Sequence, residues 1–305
     1  MQSALVAHGP EAASVAQLAW IMFGGATLIF LLVMAALAVA GRGSARWRRG
    51  LSSDRFILWS GILVPVVVLA GLLTYGLMLT GFRTASASPD ALRIEVTGEQ
   101  WWWRVRYAPE TGGSVEAANE IRIPVGRDVE LQLVSRDVIH SFWVPNLGGK
   151  LDMIPGKTNR LRLHASRAGS YRGQCAEFCG GPHALMGFHV VAMEAAAFEA
   201  WLANQRSPAA QPAAPATGRA VFFKAGCHGC HAVRGTEAGG TIGPDLTHVA
   251  GRTSLGGAIL PNDTDGFRRW VRNNQHLKPG NRMPSFAFLE PGDLDSLSIW
   301  LGSLK

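Results

Sequence analysis

Two long apolar runs stand out against the rest of the chain. Residues 18–40 and 56–79 contain no charged side chain and are 23 and 24 residues long. A helix of about 20 apolar residues crosses the roughly 30 Å core of a bilayer, so each run predicts a transmembrane helix. Two buried core helices are the alternative, but neither run shows a polar face. The pattern predicts a multidomain membrane protein with a two-helix hairpin over residues 18–83.

The loop between the two runs is strongly basic. Residues 41–55 contain five arginines and a single acidic residue, Asp54. Because basic loops stay on the cytoplasmic side, this bias places residues 1–17 and everything after residue 80 outside the cytoplasm. Residues 1–17 lack the basic region of a signal peptide, so we expect the first helix to remain as an anchor; a cleavable signal that includes it is the alternative.

From residue 92 the apolar pattern becomes short and β-rich. Strands are predicted at 92–97, 101–107, 120–124, 129–135, 159–164, 169–173 and 187–193, with turns that include 112–113, 125–128, 146–149 and 155–156. Many short strands at this spacing predict an all-β sandwich or barrel over residues 84–203. A short helix is predicted at 195–205 from the helical spacing of its apolar residues.

The end of the chain reads as a separate small domain. Residues 204–216 contain Pro208, Pro212 and Pro215 among alanines, which is typical of a semi-stiff linker. Residues 217–305 follow, with helices predicted at 217–225 and 291–304. The overall charge of +7 does not predict a nucleic-acid partner, since the loop arginines of the hairpin account for much of it.

All four cysteines of the chain fall in two motifs, so none is left for a structural disulfide. One motif is Cys227-His228-Gly229-Cys230-His231, which is the attachment sequence of a c-type haem. In this motif His231 supplies the proximal nitrogen. An electron-transfer haem needs a sixth ligand. Met283 is our expectation because a thioether raises the reduction potential, with His276 and His248 as alternatives.

The second motif combines sulfur and imidazole. Cys175, Cys179, His183 and Met186 lie within twelve residues, and His140 lies upstream. Soft sulfur ligands with imidazole favour copper. A tetrahedral zinc site and a redox-active dithiol are the alternatives; zinc would leave the methionine unused.

Residues 18–205 resemble cytochrome c oxidase subunit II, and residues 217–305 resemble a class I cytochrome c. The metal motif, the aromatic motif Gln100–Trp103 and the segment Lys150–Gly156 carry the first resemblance, and Gly243–Leu246 supports the second. The resemblance implies a cupredoxin-like β-domain followed by an all-α cytochrome c domain. It also implies that the carbonyl region of Pro244 orients His231.

The resemblance further implies a dinuclear copper centre, called CuA. Its bridging thiolates would be Cys175 and Cys179, its imidazole ligands His140 and His183, and its weak axial ligands Met186 and the backbone carbonyl of Glu177. Trp101 would be the point of electron entry. The Glu177 carboxylate would face subunit I and a magnesium ion there, and Asp137 and Asp152 would contact the same partner.

By resemblance, the chain is subunit II of a caa-type haem–copper oxidase in a bacterial cytoplasmic membrane, with both cofactor domains on the periplasmic side. Electrons would enter at haem c, pass to CuA and continue to subunit I, where oxygen is reduced with proton translocation. The expected partners are subunit I, other oxidase subunits, membrane lipid, and a cytochrome c or a quinol-oxidising complex as donor. A nitric-oxide-reducing enzyme and a copper-delivery or thiol-redox protein are the alternatives. A quinol oxidase subunit would lack the copper ligands.

Overall fold

The computed structural model describes residues 3–83, 90–107, 114–209 and 216–305. The chain forms two compact units, one of residues 13–86 and one of residues 1–12 together with 87–305. The predicted turn at 112–113 and the linker prolines Pro212 and Pro215 lie outside the described residues.

The first unit is helical. Its elements are α1 (Pro10–Arg42), α2 (Ala45–Leu51), α3 (Asp54–Leu58), a π-helical turn (Trp59–Leu63) and α4 (Val64–Arg83). Two stretches, Pro10–Arg42 and Asp54–Leu79, are long and apolar enough to cross a membrane. The π-helical turn lies just before Pro65, which has no N–H to donate to the preceding turn, and local widening is a common response to such a gap.

The second unit begins with a β-sandwich of two five-stranded sheets. The sheet orders are β3-β2-β1-β5-β8 and β4-β10-β9-β6-β7. The strands are β1 (Leu92–Glu99), β2 (Trp102–Tyr107), β3 (Val115–Ala118), β4 (Glu120–Pro124), β5 (Val129–Ser135), β6 (His140–Trp143), β7 (Leu151–Met153), β8 (Asn159–Leu163), β9 (Gly169–Cys175) and β10 (Gly187–Met193). All seven predicted strands are present, and the prediction of a sandwich or barrel resolves to a sandwich.

Three strands of the sandwich, β3, β6 and β7, were not predicted from the sequence. Each has only three or four residues, too few to establish an alternating pattern. The sandwich core is formed by the inward side chains of both sheets, and Trp103 and Phe142 at its centre are fully buried. The predicted short helix is α5 (Ala195–Arg206), which buries Phe198 and Leu202.

The C-terminal region is mainly helical. It contains α6 (Ala216–Lys224), α7 (Thr264–Leu277) and α8 (Pro291–Leu301), with two short strand pairs, β11 (Ala232–Val233) with β12 (Ala238–Gly239) and β13 (Ser254–Leu255) with β14 (Leu260–Pro261). Phe222 of α6 packs against Trp300 of α8, with ring centroids 5.0 Å apart. The first and last helices match the prediction, whereas α7 was missed.

Candidate metal centre and haem-attachment site

The cysteine motif forms a closed loop between β9 and β10. Its two ends are joined because the Cys175 N–H donates to the Met186 carbonyl at 3.1 Å. The Ala176 N–H donates to the Ser141 carbonyl at 2.9 Å, which ties the loop to β6. Because β6 begins at His140, the same strand pairing that closes the loop brings the distant histidine to the cysteines.

All the predicted copper ligands converge. The sulfurs of Cys175 and Cys179 are 3.8 Å apart, and each lies near one imidazole: Cys175 Sγ is 3.8 Å from His140 Nδ1, and Cys179 Sγ is 3.4 Å from His183 Nδ1. The Met186 sulfur is 3.7 Å from Cys179 Sγ, and the carbonyl oxygen of Glu177 is 3.2 Å from Cys175 Sγ. The two thiols thus lie together, surrounded by two imidazoles, a thioether and a backbone carbonyl.

His140 is held by residues that do not belong to the ligand set. Its Nε2 lies 2.9 Å from Asp137 Oδ1, which leaves Nδ1 directed at Cys175. Gly98 packs against the ring, since a Cβ at this position would lie 2.7 Å from His140 Cδ2. A carboxylate behind a histidine fixes the tautomer and the ring orientation of a metal ligand. The sequence motif gave no indication of this role for Asp137; its predicted contact with subunit I stays a prediction.

The hydrogen bond between the two thiols shifts their pKa values in opposite directions. The hydrogen bond from Cys179 is the largest cause that lowers the pKa of Cys175, to about 4, against burial and with help from His140. The same bond raises the pKa of Cys179. Burial alone would lower the pKa of His140, but its bonds to Cys175 and Asp137 raise it. Burial alone would raise the pKa of Asp137, but the hydrogen bonds that it accepts from Gln100 and His140 lower it.

The donor set fits a soft metal. One ligand atom from each of His140, Cys175 and Cys179 lies within 4.8 Å of the others, and all three residues are buried. Thiolate, imidazole and thioether are the donors that copper prefers, and the position of Met186 beside Cys179 gives the thioether a function that a four-ligand zinc site would not require. All four cysteines are free thiols.

The opposite edge of the loop is open to solvent. The Glu177 carboxylate, 44% exposed, shares the Lys150 ammonium with Asp152, each at 3.5 Å. Phe178 is 76% exposed and contacts the His183 ring edge-on, with centroids 5.7 Å apart. The carboxylate predicted for magnesium therefore points away from the buried donors.

The tryptophans of the aromatic motif contact the metal loop from different sides. Trp101 Nε1 donates to the Cys179 carbonyl at 2.9 Å. Trp103 is fully buried beneath the loop, and its Nε1 is 3.3 Å from the Met186 carbonyl. Trp102 instead stacks on the guanidinium of Arg104, 4.6 Å from the ring centroid. Alternation along β2 explains why Trp102 and Trp103 face opposite ways.

The haem-attachment motif forms a tight turn after α6. His231 Nδ1 donates to the Pro244 carbonyl at 2.7 Å, as the resemblance implied, so Nε2 is the nitrogen directed to an iron. Gly243 packs on the ring, because a Cβ there would lie 2.5 Å from His231 Cε1. Burial lowers the pKa of His231 and raises the pKa of Cys227 to about 11.

The predicted sixth ligand, Met283, lies in a loop braced by α7. Gln275 donates to the Met283 carbonyl at 2.6 Å, and Asn274 donates to the Pro284 carbonyl at 3.0 Å. His248, one of the alternatives, directs its Nε2 to the Ser207 carbonyl at 3.0 Å. Met283 stays the predicted sixth ligand, with His276 and His248 as the alternatives.

The C-terminal domain lies directly on the metal loop. A Cβ at Gly280 would lie 3.5 Å from the Trp101 ring, and one at Gly187 would lie 3.0 Å from the Gly257 carbonyl. The Arg282 guanidinium is 3.8 Å from the Asp137 carboxylate. The sequence indicated both cofactor motifs but not this packing of the domains. Gly280, three residues before Met283, lies against Trp101, which is hydrogen-bonded to Cys179.

Comparisons with known proteins agree with both motifs. Residues 109–193 match the model of the family "Cytochrome C oxidase subunit II, periplasmic domain", and residues 215–305 match the model of "Cytochrome c". The chain is 38% identical over 258 residues to cytochrome c oxidase subunit 2 of Alkalihalophilus pseudofirmus, covering 82% of this chain and 72% of the relative. It is 29% identical over 301 residues to the protein of that name in Bacillus subtilis, covering 91% and 83%.

Among solved structures, the periplasmic domain of subunit II of the Bradyrhizobium japonicum cytochrome oxidase is similar to this chain. The identity is 31%, the match covers 40% of this chain and 96% of the solved one, and the TM-score is 0.37. The observed architecture has the expected parts: two apolar helices, a cupredoxin-like sandwich and a helical cytochrome c domain.

Proposed function

Because the chain belongs to the cytochrome c oxidase subunit 2 family, we propose that it carries electrons from a haem c to a dinuclear copper centre and on to subunit I. The chain is a subunit of the oxidase enzyme, and its two matched domains imply copper and haem. The observation that carries the proposed route is the convergence of six copper donors beneath a side chain, Trp101, that the haem-bearing domain contacts.

When bound, the copper pair and the haem each accept and release one electron. The chain supplies rigidity for that exchange. The residues that would hold the copper pair are Cys175 and Cys179 through thiolates, His140 and His183 through imidazoles, Met186 through its thioether and Glu177 through its carbonyl. Because a rigid β-scaffold holds these donors, little of the protein has to rearrange when charge moves.

On the haem side, Cys227 and Cys230 would attach the porphyrin, and His231 and Met283 would bind its iron. The Pro244 carbonyl fixes the His231 ring through its bond to Nδ1. Trp101 is the electron-entry residue: it contacts Gly280 of the haem domain and donates a hydrogen bond to the backbone of Cys179. An electron therefore passes between the domains without diffusion of a carrier.

The proposal extends to topology and partners. The domains are a hairpin over 18–83, a CuA domain over 84–203, a linker over 204–216 and a cytochrome c domain over 217–305. Loop 41–55 is cytoplasmic and both cofactor domains are periplasmic, as its arginines indicate. Subunit I covers the exposed edge with Glu177, which completes a magnesium site there, and couples oxygen reduction to proton translocation. A cytochrome c or a quinol-oxidising complex is the donor.

Metal content tests the proposal on the full-length chain, matured with haem, purified in detergent and supplied with copper. We expect two coppers per iron by elemental analysis. Cys175→Ser should lose the copper and keep the haem, because Cys175 belongs to one site only. The matched control is Ser141→Ala, which alters a neighbouring side chain but not the backbone carbonyl that ties the loop. One copper, or zinc in its place, would contradict the dinuclear assignment.

A further inference from the structure

Arg104 is a buried arginine of the sandwich that reaches into the haem domain. It lies on β2 and is 1% exposed. Two carboxylates of the same domain hold it: Nε donates to Glu99 at 2.7 Å and Nη1 to Glu116 at 2.5 Å. The Trp102 ring stacks on its guanidinium. These contacts within the CuA domain therefore hold the forked guanidinium group of Arg104 in one orientation.

The remaining nitrogen of the fork is directed at the haem domain. Arg104 Nη2 donates to the carbonyls of Thr241 and Ile242 at 3.1 and 3.3 Å. Hydrogen bonds from a charged donor are stronger than those between neutral groups, and here the donor is buried. Arg104 thus binds two adjacent peptide groups of one short loop.

That loop is the one that holds the proximal histidine. Directly after Ile242, Gly243 packs on the His231 ring and its N–H donates to the Cys230 carbonyl at 2.8 Å. The next residue, Pro244, accepts the bond from His231 Nδ1. Within four residues the backbone contacts Arg104 at one end and the haem ligand at the other.

We propose that Arg104 is a positioning residue for electron transfer: it fixes the 241–244 loop, and through it His231, at one distance from the copper site. This inference rests on the proposed electron route and adds to it a link made by the copper-bearing domain to the haem ligand. Other contacts across the domains, such as Arg122 Nη2 to the Gly251 carbonyl at 2.6 Å, hold the domain but not this loop.

The test compares Arg104→Gln with Arg106→Gln in the full-length protein loaded with copper and haem. Arg106 is the matched control, since it lies two residues along the same strand and pairs with Glu116 and Glu95 of the same sheet. Haem c is photoreduced and the appearance of reduced copper is followed. Arg104→Gln should slow the transfer at least about tenfold. The free energy of one hydrogen bond from a charged donor corresponds to about that factor in the equilibrium between the correctly placed and the displaced loop.

Two further readouts separate positioning from general stability. In Arg104→Gln, amide hydrogen exchange should increase across residues 240–246, where the Gly243 N–H is bonded to the Cys230 carbonyl. The reduction potential of haem c should fall, because a nearby cation is lost. Arg106→Gln should match the wild type in all three. Arg104→Lys keeps the charge but not the fork, so it should restore the potential more than the rate.

The outcomes are distinguishable. A wild-type protein with no haem-to-copper transfer would contradict the proposed function itself. A wild-type protein that transfers electrons, with Arg104→Gln equally fast and unchanged in potential and exchange, would overturn only the role of Arg104. If Arg104→Gln loses either cofactor, Arg104→Lys decides: slower transfer with both cofactors present supports the role, and an unchanged rate removes it.

Discussion

At the scale of single residues, the orientation of His140 depends on Asp137. Against the effect of burial, hydrogen bonds from Gln100 and His140 lower the pKa of the Asp137 carboxyl, which lies 2.9 Å from the His140 nitrogen that faces away from the metal loop. Loss of such a partner usually costs about 10–100-fold in metal affinity. Asp137→Asn should therefore weaken copper binding to the purified chain by that factor, measured by competition with a copper chelator.

Asp152→Asn is the control for this prediction. Its carboxylate is 45% exposed and pairs with Lys150, so its removal takes nothing from a buried ring. Equal affinities of the two variants would show that Gly98 and the strand pairing suffice to orient His140.

The ligand residues were predictable because their residue types and spacing are visible in the sequence. Two thiols four residues apart, followed by an imidazole and a thioether, are rare enough to indicate a metal. The residue that supports His140 was not predictable in that role. An aspartate three residues before a histidine is common in turns, and only the fold around β6 brings its carboxylate to the ring nitrogen.

At the scale of elements, the end of α7 carries an unusual charge. Lys278 follows the helix and is 2% exposed, with Nζ donating to the Gly256 carbonyl at 3.0 Å. Burial lowers its pKa from 10.5 to about 7, with a smaller opposing effect from Cys179. Between these values the unfolded chain binds one proton more than the folded chain, so this lysine makes stability rise with pH.

Lys278→Met should remove that dependence. The variant should be more stable than the wild type at pH 7, and its advantage should shrink by about 1.4 kcal/mol per pH unit up to about pH 10. Denaturant unfolding of both proteins, followed through haem absorbance at several pH values, measures the gap. The exposed Lys157→Met is the control and should show a constant difference. A constant gap for Lys278→Met would mean that the folded protein keeps this lysine charged over the whole range.

Elements were predictable where one periodicity ran long enough. The seven longer strands and the terminal helices of the last domain follow from alternation or helical spacing. Helix α7 was missed because its arginines and asparagines outnumber the apolar residues, although Phe267 and Val271 lie one turn apart and both are buried. Its N-cap, Asp263, which accepts from the Gly266 N–H at 2.7 Å, was the available signal.

At the scale of the whole molecule, the contact between the two cofactor domains decides the electron route. Trp101 is the side chain that touches Gly280 and also bonds Cys179. Trp101→Ala should slow haem-to-copper transfer at least about tenfold with copper and haem contents unchanged, because it opens a gap in the contact. Flash photoreduction of the full-length protein measures this rate.

Trp201→Phe provides the comparison, since Trp201 of α5 packs on Tyr107 and Phe198 at the edge of the sandwich core. That variant should transfer electrons at the wild-type rate. If Trp101→Ala does the same, the electron enters the copper loop elsewhere, for example through the 256–258 turn that lies beside Gly187.

The packing of one domain on the other was not predictable from the sequence. Several of the contacts that join them use backbone carbonyls as acceptors, namely those of Thr241, Ile242 and Gly251. Every residue has a carbonyl, so these acceptors leave no pattern of residue types. The donors, Arg104 and Arg122, read in the sequence as polar positions on strands, which usually face solvent.

The unequal burial of the copper donors determines how metal is exchanged. His140 and the two cysteines are almost fully enclosed, whereas His183 is half-buried beneath the exposed Phe178 ring. Among the described donors named here, His183 is therefore the one most accessible to an incoming ion, and His140 and the cysteines lie deeper. If another subunit covers this edge, as proposed above, copper would have to be inserted before that step, and the covering would slow its later release.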